Sequence, residues 1–261
     1  MQDLFSKMWG YRELLYVLVG RNLKIRYKGS FLGFFWSLLV PLFMILIYAF
    51  FLRVMRFPID LPLLVTGIIV WQFLAMCLGD SLAAILGNAN LVTKAAFPRI
   101  LLPGSMVIAN LVNFLLAGVV LAGYLLVVRA DFGAVYLLPL LILTQFALCM
   151  GVASLLATAN VFFRDTEHIL SMVMLAWFFM SPIIYPMDLI TGPESGLPMW
   201  AQHAYFANPM AGIISGYHML LLSLPSPGML RMLLSLAVAW LLFFIGIGVF
   251  QRFEGRFGDE L

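Results

Sequence analysis

Six long apolar stretches divide this chain, at 31–52, 61–86, 100–128, 135–159, 169–185 and 229–250. A helix that crosses a bilayer needs about 20 mostly apolar residues, so the pattern predicts six transmembrane helices. The stretch at 169–185 is short and ends in Ser181-Pro182-Ile183-Ile184-Tyr185-Pro186. Pro41 lies inside the first stretch, where its missing backbone donor predicts a kink. A seventh apolar run, 210–224, is short and broken by Gly212 and Gly216. It reads as a re-entrant or interfacial element within a proline-rich outer segment, 186–228, whose backbone must be buried in protein or line a cavity. Ahead of the first span, residues 11–28 predict a helix lying on the membrane surface. Tyr16, Val19, Leu23 and Tyr27 share one face, Arg21, Lys24 and Lys28 the other, with Leu18 and Ile25 interrupting the polar side. The alternative for this stretch is a plain basic flank that only sets topology.

Composition supports the membrane reading. Of 261 residues, 64% are hydrophobic and 10% charged, and the mean hydropathy is +1.04. A soluble globular chain is about half apolar and a quarter charged, so too little polar surface is present to coat a body in water. The net charge of +3 matters less than where the 15 basic residues fall. With six spans, Lys7, Arg12, Arg21, Lys24, Arg26, Lys28, Lys94, Arg99, Arg164, Arg252 and Arg256 share one side, and Arg53, Arg56, Arg129 and Arg231 the other. The positive-inside rule then predicts cytoplasmic N- and C-termini. A seventh span would move Arg252 and Arg256 outside. No cleavable leader is expected, because the first thirty residues lack a compact apolar core followed by a small-residue cleavage site. Cys77 and Cys149 lie in apolar stretches and read as buried thiols rather than as a disulfide or metal pair.

One polar break stands out between the second and third spans: Gly87-Asn88-Ala89-Asn90-Leu91-Val92-Thr93-Lys94-Ala95-Ala96-Phe97-Pro98-Arg99. Asn88 or Asn90 can cap a short helix. Leu91, Val92, Ala95, Ala96 and Phe97 offer it an apolar surface, Pro98 discourages continuation, and Arg99 is placed to anchor the next span at the headgroups. Such an element, about 88–99, fits the groove of a cytoplasmic partner. It equally fits an ordinary loop whose charges set topology, and the residues alone leave both open.

The chain carries no phosphate loop of the G-x-x-x-x-G-K-[ST] type, so ATP hydrolysis by that route is not expected of it, and no His/Cys cluster suggests a metal centre. Gly79-Asp80-Ser81-Leu82 and a later Asp165-x-x-His168 match fragments seen in one group of serine esterases. That chemistry needs a soluble sheet to present the serine, and here the serine falls inside an apolar helix. Asp80 itself falls near the inner end of its span, where a carboxylate costs little. The remaining spans are nearly free of ionisable groups, which argues against ion coupling and for energy supplied by another chain. Aromatic residues crowd the first and fifth spans. Belt positions explain many of them. Phe35, Trp36, Phe43, Tyr48, Trp177 and Phe178 are candidates to line a channel, since aromatic faces receive sugar C–H groups without charge; packing is the favoured reading for any single ring, and a channel role for a subset requires a glycan substrate.

Four blocks, in order, resemble a known family. Arg21-Asn22-Leu23-Lys24-Ile25-Arg26-Tyr27-Lys28-Gly29-Ser30-Phe31-Leu32-Gly33, followed by Trp36 and Pro41, is similar to the entry of type 2 ABC export permeases. Asn88 to Val92 with Phe97-Pro98-Arg99 and Leu102-Pro103 resembles their loop between spans two and three. Asn160-Val161-Phe162-Phe163-Arg164-Asp165 resembles the loop between spans four and five, and Ser181 to Pro186 with Asn208-Pro209 their outer segment. Within that family the chain looks like the permeases that export O-antigen polysaccharide or teichoic acid.

The resemblance implies an all-α polytopic membrane protein, with 1–30 as a cytoplasmic segment bearing the interfacial helix and 31–261 as a six-span permease domain. It implies a homodimer with two separate ABC ATPase subunits, which carry the ATP and Mg; this chain itself would hold no cofactor and be no enzyme. Residues 88–99 would be the coupling helix, with Asn88, Asn90, Leu91, Lys94, Phe97, Pro98 and Arg99 joined by Arg164 and Asp165 at the ATPase face. Pro182, Tyr185, Pro186, Asn208 and Pro209 would belong to the outer gate. The implied substrate is a lipid-linked polysaccharide moved across the bacterial inner membrane, with no nucleic-acid partner. Teichoic acid, capsule, a small lipid or a drug are the alternative cargoes; a membrane enzyme and an assembly protein without transport are the readings outside this class.

Overall fold

The computed structural model describes residues 10–56 and 60–260, without the side chains of Tyr27, Phe34 and Glu194. Lys7 and the Tyr27 side chain, both used above, lie outside the described set. Among the described residues there is no strand, and the expected all-α fold is what the chain forms.

Among the described residues, five helices are long and apolar enough to cross a membrane. They are α2 (Trp36–Met55), α3 (Leu61–Leu82), α5 (Leu101–Val127), α6 (Leu138–Phe162, led by a 3₁₀ turn from Val135) and α11 (Met229–Phe253). The first begins five residues later than the apolar run, because Gly29 (φ 76°) and Gly33 (φ 50°) take left-handed conformations that turn the chain out of α1 (Arg12–Tyr27). Pro41 is buried inside a helix that runs unbroken from Trp36 to Met55. The stretch at 169–185 forms α7 (Thr166–Phe179), 14 residues long. At 1.5 Å per residue that is about 21 Å, short of a hydrocarbon core of about 30 Å. The polar break contributes α4 (Ala89–Lys94). The outer segment contributes α8 (Asp188–Thr191), α9 (Met199–Tyr205) and α10 (Pro209–Leu222).

The core is organised on α3, which packs against α2, α5, α6, α7 and α10. Gln145 on α6 donates to the Val70 carbonyl of α3 at 2.8 Å, and Asn160 to the Leu82 carbonyl at 2.8 Å. These polar ties between apolar helices fix register where lipid offers no alternative partner. α11 lies along α6 with backbone-to-backbone contact at Gly151 and Gly246.

Two expectations are corrected here. The first concerns α1. Leu18, which sequence placed as an interruption of the polar face, is buried at 3% exposure, while Tyr16 is 80% exposed. The helix is docked on α5 through Leu14, Leu15, Leu18 and Asn22, whose amide donates to the Ser105 hydroxyl at 2.9 Å. Its orientation follows that protein contact. The second concerns Gly212 and Gly216, read as breaks. Both lie inside the continuous α10, and a Cβ on Gly212 would come within 2.3 Å of the Ser235 side chain of α11. They are sites of close helix approach.

Candidate functional site

The two ends of the bundle carry different chemistry. At the end that holds α1, the α3–α5 connection and the C-terminal turn, basic residues gather. Here α3 runs out at Leu82, a 3₁₀ turn covers Leu86–Asn88, and α4 takes six residues before the chain extends at Ala95 (φ −123°, ψ 137°). α4 ends at Lys94, and Pro98 starts the turn into α5, its carbonyl accepting from the Leu101 amide at 3.1 Å.

The short helix forms where sequence places it, but its side chains divide differently. Asn88 sits at the N-cap position without capping. Its amide donates to the Ala84 carbonyl at 2.8 Å, and its Oδ1 accepts from Arg21 Nη2 at 2.8 Å. Val92 is buried and Leu91 and Phe97 are half-buried, so the apolar face expected to meet a partner is largely turned into the bundle. Asn90, Thr93, Lys94, Ala95 and Ala96 are exposed. Arg99 is half-buried and reaches inward instead of to headgroups: it donates to the Glu254 carbonyl and, at 3.5 Å, to the Val92 carbonyl.

That contact joins the segment to the chain's last turn. Phe257 is fully buried and packs against Phe250 and Phe162, with ring centroids 5.2 and 6.2 Å apart. Phe162 ends α6, so the exposed pair Arg164 and Asp165, in the turn before α7, is held to the same platform. Arg99→Ala should therefore loosen 254–258 as well as α4, since the Glu254 carbonyl loses a charged donor worth about 1.5–3 kcal/mol. Limited proteolysis at Arg252 and Arg256 measures it: faster cleavage in the variant is expected, and an unchanged rate would show the latch to be idle.

Asp80, in the last turns of α3, is paired with Arg26 of α1 and accepts from Asn110 Nδ2 of α5 at 2.8 Å. It clamps three helices. Ser81, the serine of the esterase-like tetrapeptide, is fully buried and closed to a substrate.

At the opposite end, the outer-gate candidates come together around Asn208. Its Oδ1 accepts from Trp177 Nε1 at 2.6 Å and caps α10 by accepting from the Met210 amide at 2.9 Å. Its Nδ2 donates to the Met180 carbonyl at 2.9 Å and reaches the Ser181 hydroxyl at 3.1 Å. Pro209 takes the first helical position, where its missing donor costs nothing. The Tyr185 and Tyr205 hydroxyls meet at 2.9 Å. Ser235 of α11 donates to the Phe206 and Asn208 carbonyls. Ser235 lies six residues inside α11, and Gly67, which abuts the Ile183 backbone, lies six inside α3. Both place the Ser181–Asn208 junction about 9 Å below the helix ends. α10 then climbs back to the Gly133 amide, which donates to the Leu220 carbonyl at 2.9 Å. The segment thus dips into the bundle and returns toward the same end. Pro182 is buried and Pro186 exposed at its rim.

The six aromatic channel candidates separate into two groups. Trp36 and Phe43 are exposed on α2, and Phe35 is exposed in the 3₁₀ turn that precedes it. Tyr48 packs against the core, and Trp177 and Phe178 meet Trp71 edge-on at centroid distances of 6.0 and 5.7 Å. The ties missed by sequence reading are Arg21–Asn88, Arg26–Asp80 and Trp177–Asn208. Each joins residues far apart along the chain, and only the basic and amide residue types hinted at them.

Comparison with known proteins adds a family. A model described as ABC-2 type transporter matches residues 13–222. An O-antigen export system permease protein, RfbA, of Myxococcus xanthus is 32% identical over 269 residues, covering 100% of both chains. Two RfbA proteins of Klebsiella pneumoniae are 29% and 30% identical, each covering 95% of both chains.

Proposed function

The chain belongs to the ABC-2 type transporter family, and on that premise we propose that it is the transmembrane subunit of an ATP-driven exporter of lipid-linked, O-antigen-like polysaccharide. The observation that carries the reading is end-to-end similarity to an O-antigen export permease, with 100% of each chain covered. In this assignment two copies form the permease and two separate ATPase subunits bind ATP and Mg. The basic end faces the cytoplasm, α7 serves as the short sixth span, and the junction at Asn208 forms the outer gate.

The exposed surface of α4 fits the coupling role. It offers amide, hydroxyl and ammonium groups at Asn90, Thr93 and Lys94 with two small alanines beside them. Arg21, Asn88, Arg99 and Glu254 fasten it to α1 and to the C-terminal turn, so a push on α4 is delivered to several helices at once.

Deleting the gene should remove the polysaccharide from the cell surface and leave lipid-linked glycan inside, and the glycan should stimulate ATP hydrolysis by the purified complex. Surface polysaccharide unaffected by deletion, with ATPase activity indifferent to glycan, would overturn the assignment. The docking surface has its own test. Cys77 and Cys149 are fully buried, so a cysteine introduced by Ala95→Cys is the reactive thiol presented at α4. It should cross-link to the ATPase subunit. Absence of the cross-link, together with normal export after 91–97 is replaced by a flexible linker, would exclude α4 as the contact.

A further inference from the structure

Two clefts meet at Arg26. One, about 550 Å³, opens at the basic end between α1 and the α3–α5 pair, and its polar lining is Arg21, Asn22, Arg26, Asp80, Asn88 and Asn113. The other, about 270 Å³, lies between α2, α3 and α5 and is mostly apolar, with Trp36, Val40, Met44, Phe73 and Phe114 in its wall. Arg26 and Asn113 line both.

The two guanidinium groups are only partly satisfied. Arg21 donates through Nη2 to Asn88, and Arg26 through Nη2 to Asp80. Arg21 Nε and Arg26 Nη1 are buried with no acceptor among the described residues. A desolvated, charged N–H left without a partner is costly, and the two arginines that carry them line the same cleft. One carboxylate, Asp80, stands against two guanidiniums, so the cleft keeps a net positive charge. A group with several anionic oxygens on one centre meets these donors, and the fork of N–H groups on arginine matches a phosphoryl group. The neighbouring apolar cleft calls for hydrocarbon attached to the same molecule.

We propose that this pair of clefts binds a phosphoryl-headed lipid, the phosphoryl group against the guanidiniums of Arg21 and Arg26 and the hydrocarbon between α2, α3 and α5. Two sources supply that chemistry: the anionic phospholipids of the membrane, and the phosphorylated lipid carrier of the exported glycan. The second source rests on the function proposed above; the site itself does not. Bound lipid would bridge α1 to α2 across the turn at Gly29 and Gly33. It would also share Arg26 with Asp80, and so sense the clamp that holds α1 beneath α3.

The test uses the purified full chain in a neutral detergent, titrated with a short-chain phosphatidic acid, a long-chain prenyl phosphate, a diacylglycerol and inorganic phosphate, with binding read by native mass spectrometry. Both phosphoryl lipids should bind at least about tenfold more tightly than diacylglycerol or inorganic phosphate. Arg21→Gln should weaken both about tenfold. Because Arg26→Gln leaves Asp80 unpaired and endangers folding, the double variant Arg26→Gln with Asp80→Asn is used for the second arginine, with the same loss expected. Val40→Trp, which fills the apolar cleft, should weaken the lipids and leave inorganic phosphate unchanged. Preference for the prenyl phosphate assigns the site to the carrier, and equal affinity assigns it to membrane lipid; both support the site. Diacylglycerol binding as well as phosphatidic acid, or variants that bind both lipids as the natural chain does, would overturn it. Phosphatidic acid binding is measured without a glycan or an ATPase, so failure of the export assignment and failure of this site give separate results.

Discussion

Gly246→Leu should prevent the protein from accumulating as a folded, monodisperse species. A Cβ at Gly246 would lie 2.0 Å from the Gly151 carbonyl oxygen, and one at Gly151 would lie 2.4 Å from the Phe243 Cα. Both obstacles are backbone, so no side-chain rotation relieves them; α6 and α11 would have to separate along their shared length. Overpacking a well-fitted interior costs about 1–3 kcal/mol and sometimes more, and a clash of helix against helix belongs at the top of that range. Gly246→Ala should show the same defect in milder form. Gly248, two residues on, meets nothing within 4 Å. There alanine should be neutral or stabilising, by up to about 1 kcal/mol from helix propensity. Thermal denaturation followed by size exclusion in one detergent compares the three. Equal stability for Gly246→Ala and Gly248→Ala would mean that the two helices do not touch as described.

Asn208→Ala should disconnect the outer segment while the bundle stays folded. The change strips the partner from Trp177 Nε1, the Met180 carbonyl and the Met210 amide. Loss of the cap alone costs about 0.5–2 kcal/mol, and the half-buried Trp177 N–H left without its acceptor adds to it. The Gly212–Ser235 approach and the Ser235 bond to the Phe206 carbonyl remain, so α10 keeps its seat on α11. A cysteine placed at Ala211, which is fully buried against Met187 and Phe206, should then react with a membrane-impermeant maleimide about tenfold faster, the rate ratio expected for about 1.4 kcal/mol of lost closure, and export should fall. Asn208→Asp is the graded control. Its carboxylate still accepts from Trp177 and Met210 but donates nothing to Met180, so labelling should fall between the two. Equal labelling in all three would show that Asn208 does not hold the segment shut.

Sequence alone reached the order and placement of the five long apolar helices because their apolar runs are long, whereas the short run at 169–185 forms a helix of only 14 residues. The cap at Asn208-Pro209, an N-cap asparagine before a first-turn proline, is a local signal that the sequence reading did not use. The faces of α1 were misread because its surroundings are protein as well as lipid, and Leu18 is buried by α5 rather than by the bilayer. Gly212 and Gly216 were misread because a glycine that interrupts a helix and one that admits a neighbour look alike until the neighbour is known. Val92 shows the same limit at the candidate site: an apolar residue in a six-residue helix can face a partner or its own bundle. The Arg26–Asp80 and Arg21–Asn88 ties span 54 and 67 positions, beyond any periodic pattern.

The helices differ widely in how firmly the single chain holds them. In the most apolar stretch of α3, 72% of residues are buried; in that of α2 the share is 11%. A helix so lightly fastened takes its position from whatever stands opposite. In the proposed assembly that is the second copy or the cargo itself. The bore would then have no diameter of its own, closing when α2 meets its counterpart and widening to the girth of the chain that passes. Such a passage tolerates sugars of different bulk without a pocket shaped for any one of them, and leaves selection of cargo to the stage before entry.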